Sequence, residues 1–434
     1  MMISRMSAPQ TNGGSPMRTL EPPARFEDKT RALLREGYLF MPRRHAGLEA
    51  PIFRTRLMLR NVVCLAGPEA ARLFYTGDIV TRRGAMPQTT LRLLQDKHSV
   101  QQLDGSAHRN RKALFIRMLV QNPARIDDLV SRFRDAWLRR LPVWERQGRL
   151  VLSSTCESLL AEAALSWAGL PANEHAVKRD APILSSMIRN AGRFGPATAA
   201  ALVRRANMER RLRAEIRAIR SGARKPPDKS PAAEIARHRD ETGALLSPSV
   251  AAVELLNILR PIVAVGRYIV FAAMMLHQKP AWRARFSDGS REGLDRFAEE
   301  VRRIAPFFPF IGGVLMREAE CYGYRLEKGQ WVLLDLYGTC HDPRWFVEPD
   351  EFRPERDLSW QKDVYRFIPQ GGGDAVGSHR CPGERATVAL IAEAVRLLAY
   401  RMSFEVPRQD LDVPLDTVPT GPGSGFALEN IRRR

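Results

Sequence analysis

Residues 249–277 form a long, almost unbroken apolar stretch, and no other segment limits the fold as much. A helix over that span is a rod on the order of 43 Å long, at 1.5 Å per residue. Its apolar residues lie on nearly every side, so it has no solvent face and must run through the middle of the protein. Glu254, Arg260 and Arg267 interrupt it, and the chain is expected to hold no window of the ~20 uncharged apolar residues that a membrane span requires. A buried rod of this kind needs a shell of helices. Helical periods fill residues 68–75, most of 107–220 with breaks at 169–171 and 192–196, 294–304 and 382–402. Strand-like alternation is confined to residues 38–67 (GYLF, IFRTRLMLR, VVCLAG) and to YGYRLEKGQWVLLDL at 322–336. The predicted fold is mainly α with a small, segregated β portion. A length of 434 residues would admit about three average domains. Residues 1–24, rich in Pro, Gly, Ser and Thr, read as a flexible tail.

Charge is the outlying number in the composition. Lys and Arg number 68 against 48 Asp and Glu, a net +20, which suggests nucleic acid, an anionic membrane surface or acidic small molecules as partners. No helix-turn-helix, zinc finger or basic strip interleaved with aromatics supports nucleic acid. The cysteines, Cys64, Cys156, Cys321, Cys340 and Cys381, are odd in number and scattered, which argues against a disulfide framework and for a reducing compartment. The N-terminus reads as neither a signal peptide nor an anchor, so a cytoplasmic protein is expected.

The segment FIPQGGGDAVGSHRCPGE (367–384) carries the chemistry. Cys381 stands between a Gly-rich loop and a helix expected to begin at Pro382, where free N–H groups and the helix dipole would favour a thiolate. A lone cysteine is usually a buried small hydrophobe. The flanking Gly377, His379 and Gly383 fit a haem-thiolate loop better. A phosphate-loop reading fails because no Lys-Ser or Lys-Thr follows the glycines, and zinc fails because no second cysteine is close.

With this loop in place, the chain resembles the cytochrome P-450 superfamily, which implies haem b lying between the long central helix and the Cys loop, with Cys381 as axial ligand of the iron. Glu300-Val301-Arg302-Arg303 supplies the E-x-x-R of that superfamily, and EFRPER places Arg356 where it completes a Glu–Arg–Arg cluster supporting the loop. Ordinary members carry an acid–alcohol pair on the long helix, whereas LLNILRPIVAV has Arg260 and Pro261 there. An Arg at that point is costly without a partner, and a buried Glu is the plain candidate. Pro261 is expected to kink the helix.

The Arg-Pro pair, with RRGAMP, LDGSAHRNRKALF, EVRRIAPFFPF and HDPRWF, resembles the bacterial fatty-acid peroxygenase branch over almost the whole chain from about Arg25, which implies one domain over 25–434. That resemblance implies a long-chain fatty acid as substrate, hydrogen peroxide as oxidant, no required redox partner and a substrate carboxylate held by Arg260. The fork of an Arg matches a carboxylate in two hydrogen bonds and stays charged. Oxidation at the α or β carbon follows from a carboxylate fixed near the iron. Gln101 aligns with the position where hydroxylases resemble one another with Gln and the decarboxylase has His, so hydroxylation is expected over decarboxylation to a terminal alkene. Arg82 and His108 are expected to pair with haem propionates, with Lys112, Arg111 and His379 as further candidates. Phe307, Phe308 and Phe310 are expected to line the acyl channel. Ser378 departs from the Gly of some relatives. A monooxygenase fed by an acidic redox partner and a haem sensor without turnover are the competing readings. Residues 189–229 hold 12 basic and 3 acidic side chains, a local +9 expected to draw anionic substrate toward the channel.

Overall fold

The computed structural model describes residues 18–20, 27–356 and 363–434. In chain order the elements are α1 (Thr30–Glu36), α2 (Phe40–Gly47), β1 (Ile52–Leu57), β2 (Arg60–Leu65), α3 (Gly67–Tyr75), β3 (Val80–Thr81) and α4 (Gln88–Leu94). Next come α5 (Gly105–Leu119), α6 (Pro123–Gln147), β4 (Arg149–Val151), α7 (Leu152–Trp167), α8 (Glu174–Arg189), α9 (Pro196–Arg220) and α10 (Pro231–Arg237). The central helix is α11 (Pro248–Gln278), followed by α12 (Pro280–Arg285) and α13 (Leu294–Ile304). The chain ends through β5 (Phe310–Leu315), β6 (Ala319–Cys321), β7 (Tyr324–Leu326), β8 (Trp331–Asp335), α14 (Leu336–Cys340), α15 (Glu384–Arg396), β9 (Met402–Glu405) and β10 (Ala427–Arg433). The expected tail, 1–24, lies outside the described residues apart from 18–20, where Arg18 bridges to Tyr324.

Helix α11 is where the apolar pattern put it. Ser247 caps it through its hydroxyl, accepting from Val250 N at 3.2 Å, and Pro248 occupies the first turn. Between Ala251 and Leu276, Pro261 is the one exposed residue. By length and composition the helix does reach what a membrane span needs, against the sequence expectation, yet 83% of its most apolar window is buried inside the fold. Helices α7, α8, α9 and α15 surround it and occupy its faces. The crossing with α7 is close because position 266 has no side chain: a Cβ on Gly266 would lie 3.3 Å from Cys156 Cβ. The helix runs on through Pro261, which removes one hydrogen-bond donor without ending it.

The β portion is segregated as expected. One sheet has the order β1-β2-β8-β5-β3, with β2 and β8 parallel and the other pairs antiparallel, and two smaller sheets are β4-β10-β9 and β6-β7. GYLF is not a strand. Gly37 takes a left-handed φ of 53°, and Tyr38 turns into the core to donate to Phe307 O at 3.0 Å, so the segment is a helical turn leading into α2. A four-residue apolar run cannot distinguish strand from helix by period alone. The C-terminal helix begins at Glu384, not Pro382, and closes with a π turn over Leu397–Arg401.

Gly313 of β5 sits where α3 presses on the sheet. A Cβ there would collide with Val80 Cγ1 and lie 3.0 Å from the Phe74 ring. Gly313→Ala is therefore expected to lose ~1–3 kcal/mol in denaturant unfolding, and the loss should shrink in a Val80→Ala background.

Candidate active site

The loop before α15 is built around its cysteine from three sides. Cys381 N donates to Gln370 O at 3.1 Å, and Gln370 Nε2 lies 3.9 Å from Cys381 Sγ, aimed at the sulfur. Gln370 is itself fixed: its Oε1 accepts from Arg302 Nε at 2.8 Å, and its Nε2 also reaches Thr387 Oγ1 at 3.3 Å. Sequence reasoning missed Gln370 and Arg302; only the GGG run beside Gln370 pointed there. Lys112 Nζ donates to Ser378 O at 3.0 Å and to Arg380 O, tying α5 to the loop. The Ser378 hydroxyl donates within the loop to Gly372 O and Asp374 O, so the departure from Gly adds a tether.

The expected thiolate-stabilising helix terminus is not there. Cys381 stands three residues ahead of α15, and burial, then the Glu384 carboxylate, push its thiol pKa up; Gly383 N–H, Lys112 and Arg302 only oppose this. The protein alone therefore favours the thiol, and a metal must displace its proton.

Behind the loop, Glu300 on α13 is saturated. It accepts from Arg303 Nε at 2.9 Å and Nη2 at 2.7 Å, from Arg356 Nε at 2.9 Å and from Arg353 N at 3.0 Å. Arg303 and Arg356 then donate onward to the carbonyls of Cys340, Pro349 and Glu351. All three charges are buried, and the Glu–Arg–Arg cluster clamps the segment 340–356 to α13; among the described residues none of these bonds reaches the Cys381 loop it was expected to support.

Beside the cysteine, four basic groups converge. Arg82 is buried between the Phe74 and Tyr75 rings, 5.0 and 5.4 Å from their centroids. The rings of His108 and His379 lie 4.0 Å apart. Burial, then Lys112 and Arg82, push the His108 pKa down to about 4; burial pushes Lys112 down to about 8. His379 is pushed down by burial and then by Arg82. Among the described residues none of the four is ion-paired with a carboxylate. Two buried cations without an ion-pair partner, Arg82 and Lys112, beside two imidazoles kept neutral, fit a group carrying two carboxylates beside its thiolate ligand, as haem b does. Arg111 does not join it: it turns the other way and pairs with Glu254 at 2.7 Å.

On the far side, α11 presents Arg260, buried at 4% exposure. Among the described residues no Glu pairs with it; Glu254 is taken by Arg111. Arg260 instead donates to Leu93 O at 3.4 Å, to Leu94 O and to Asn257 Oδ1 at 3.1 Å. These are neutral acceptors, and among the described residues no carboxylate is ion-paired with it, although the charge of Glu209 acts on it. Burial, then the charge of Arg205, push its pKa down to about 9. Gln101 joins the same group, its Oε1 accepting from Asn257 Nδ2 at 3.3 Å. Pro261, next to Arg260, is the one exposed residue between Ala251 and Leu276.

The three phenylalanines do not form one wall. Phe307 is buried and stacked on Tyr268 at 4.2 Å, Phe308 is exposed, and Phe310 belongs to β5. The basic segment 189–229 is also less open than its +9 suggested. Arg189, Arg205, Arg211 and Arg224 are ion-paired with Glu157, Glu209, Asp180 and Glu215, and Arg220 donates to the carbonyls of Ala236 and Leu246.

Comparison with known proteins meets this geometry. The family model for Cytochrome P450 matches residues 291–411. Among curated proteins, Cytochrome P450 71D18 of Mentha gracilis is 28% identical over 137 residues, and Cytochrome P450 monooxygenase aunB of Aspergillus niger is 31% identical over 139. Each match covers 31% of this chain and only 27% and 30% of those relatives' own length. Solved structures match throughout. A point mutant of Cytochrome P450SP alpha superposes with a TM-score of 0.90 at 37% identity, covering 94% of this chain and 99% of that one. Cytochrome P450EX alpha with myristic acid gives 0.90 at 34% identity, covering 96% and 100%. A variant of cytochrome P450 OleT with arachidonic acid gives 0.91 at 30%, covering 96% and 99%.

Removing one member of the basic patch leaves less charge for the propionates. Arg82→Gln is expected to release haem about 10-fold faster in transfer to excess apomyoglobin, with Cys381 ligation unchanged in the absorption spectrum.

Proposed function

The chain belongs to the cytochrome P450 superfamily and, within it, to the bacterial fatty-acid peroxygenase family, and we propose that it hydroxylates long-chain fatty acids at the α or β carbon with hydrogen peroxide. The carrying observation is Arg260, a buried guanidinium without a carboxylate partner, on the long helix. Bound at Cys381, thiolate-ligated haem b supplies the oxidising power that turns a C–H bond and peroxide into an alcohol and water.

The residues of the chain do the selecting and orienting. Arg260 offers a charge that only an anion satisfies, so an acid is held by its carboxylate and a neutral alkane is not. The carbons nearest that carboxylate are then nearest the oxidising centre. Acid chemistry from the long helix is closed off: Glu254 is the sole carboxylate on α11, and Arg111 and Val100 N already engage it. The carboxylate of the substrate, held at Arg260, is left as the base that accepts a proton from peroxide. That arrangement supports peroxide over a redox partner as the source of oxidising equivalents. Gln101, an amide that does not titrate, supports hydroxylation over decarboxylation, which is associated with an imidazole at that place. The unpaired cysteines agree with a cytoplasmic site of action.

Haem-loaded protein given saturated fatty acids and peroxide is expected to yield 2- and 3-hydroxy acids, resolved by mass spectrometry of their derivatives; terminal alkenes as the main product would overturn the hydroxylase reading. Arg260→Leu should lower kcat/KM at least ~30-fold, the scale of breaking one buried charge pair. The pH profile carries a sign as well. Arg260 must be protonated to hold a carboxylate, so kcat/KM should fall as pH rises through about 9. Arg205→Gln removes the neighbouring charge that depresses Arg260, and should move that alkaline limb upward.

A further inference from the structure

Helix α11 buries three polar side chains one turn apart: Glu254, Asn257 and Arg260. The proposed function uses the last. The first two are joined to it by a directed set of hydrogen bonds. Glu254 Oε1 accepts from Arg111 Nη1 at 2.7 Å and from Val100 N at 2.8 Å. Glu254 Oε2 accepts from Asn257 Nδ2 at 3.1 Å. Asn257 Oδ1 accepts from Arg260 Nη2 at 3.1 Å, while Nδ2 also donates to Gln101 Oε1 at 3.3 Å.

A carboxylate only accepts and a guanidinium only donates. An amide caught between them has one orientation, with NH2 toward Glu254 and C=O toward Arg260. Gln101 meets the same NH2, so it must present its oxygen there. Its Nε2 is left over as a donor, with no partner among the described residues. The main-chain bond from Val100 N to Glu254 pins the turn that carries Gln101 to α11, so the loop is held as well as the amide.

We propose that Glu254 is the positioning residue that sets the polarity of this Asn257–Gln101–Arg260 set, so that the fatty-acid carboxylate meets donors and no acceptor. The proposal rests on the fatty-acid reading of the site. It identifies Glu254 and Asn257 as determinants of affinity and regiochemistry that act through their neighbours.

Glu254→Gln tests it with almost no change of shape. Arg111 and Val100 N both keep the side-chain oxygen, so the new NH2 falls opposite the NH2 of Asn257. The Asn257 amide then turns over. Arg260 loses an acceptor, and Gln101 turns to donate inward, aiming its oxygen at the carboxylate. Measured on haem-loaded full-length protein by the change in the haem spectrum, Kd for myristic acid should rise about 10-fold or more, and the ratio of 2- to 3-hydroxy product should change. Imidazole binding at the haem, which needs no carboxylate recognition, should stay within about twofold. Asn257→Leu, which deletes the relay while leaving Glu254 its bonds to Arg111 and Val100, should raise Kd by itself. Adding Glu254→Gln to Asn257→Leu should then change Kd by less than about twofold, because the path is already cut.

Wild-type affinity and product ratio in either single variant would overturn the proposal. So would a full Glu254→Gln penalty that persists in the Asn257→Leu background, since it would mark a general loss of structure. If Glu254→Gln does not fold, Asn257→Leu alone still decides through Kd and product ratio. Failure of the wild-type protein to bind myristic acid would overturn the fatty-acid reading and this proposal with it; binding by the wild type with an unaltered Glu254→Gln would overturn this proposal alone.

Discussion

Moving a carboxylate or a guanidinium out of water costs several kcal/mol per ion, and α11 carries one of each within two turns in the most apolar part of the molecule. The nearest solution would be for Glu254 and Arg260 to neutralise one another. The structure separates them. Glu254 receives its counter-charge from Arg111 on α5, and Asn257 stands between the two as a neutral spacer. Arg260 therefore keeps a full positive charge, held by the carbonyls at the carboxyl end of α4. A charge in that state is poorly satisfied, and in the proposed function this is what makes Arg260 select acids.

The same logic holds at the cysteine. Arg82, His108 and Lys112 are buried together and His379 is half-buried against His108, and among the described residues none of the four is ion-paired with a carboxylate. Burial pushes their charged forms toward neutrality, and it pushes the Cys381 thiol away from thiolate. Each of these preferences is wrong for the chain by itself. Each is right for a chain that completes itself around a metal with two carboxylate arms. By contrast the Glu300–Arg303–Arg356 cluster is fully satisfied without any ligand, which is what a clamp holding the segment 340–356 to α13 requires.

Much of this was legible in the residue order. The all-round apolar pattern located α11 to within a residue at each end, because a helix without a polar face has one place to go. The E-x-x-R and P-E-R spacing brought Glu300, Arg303 and Arg356 together, and the G-x-H-x-C-x-G pattern marked the loop that lies beside the basic groups. Short-range signals failed where the competing structures use the same residues. GYLF reads as a strand, yet a left-handed Gly37 and the burial of Tyr38 make it a helical turn. Pro382 read as the start of a helix that begins two residues later. Gln370 and Asn257 carried no signal because a single amide in a sequence has no direction.

What the residue order determined by itself is the inventory: a buried rod, a cysteine in a glycine loop, and an arginine where an acid and an alcohol would otherwise stand. What tertiary structure decided is the pairing. Arg111 looked like one more member of the basic patch, and Glu254 like one more interruption in an apolar run, until α5 and α11 were packed side by side. Hydrogen-bond polarity is a property of neighbours in space, and only the packed chain brings Val100, Gln101, Glu254, Asn257 and Arg260 close enough to orient one another.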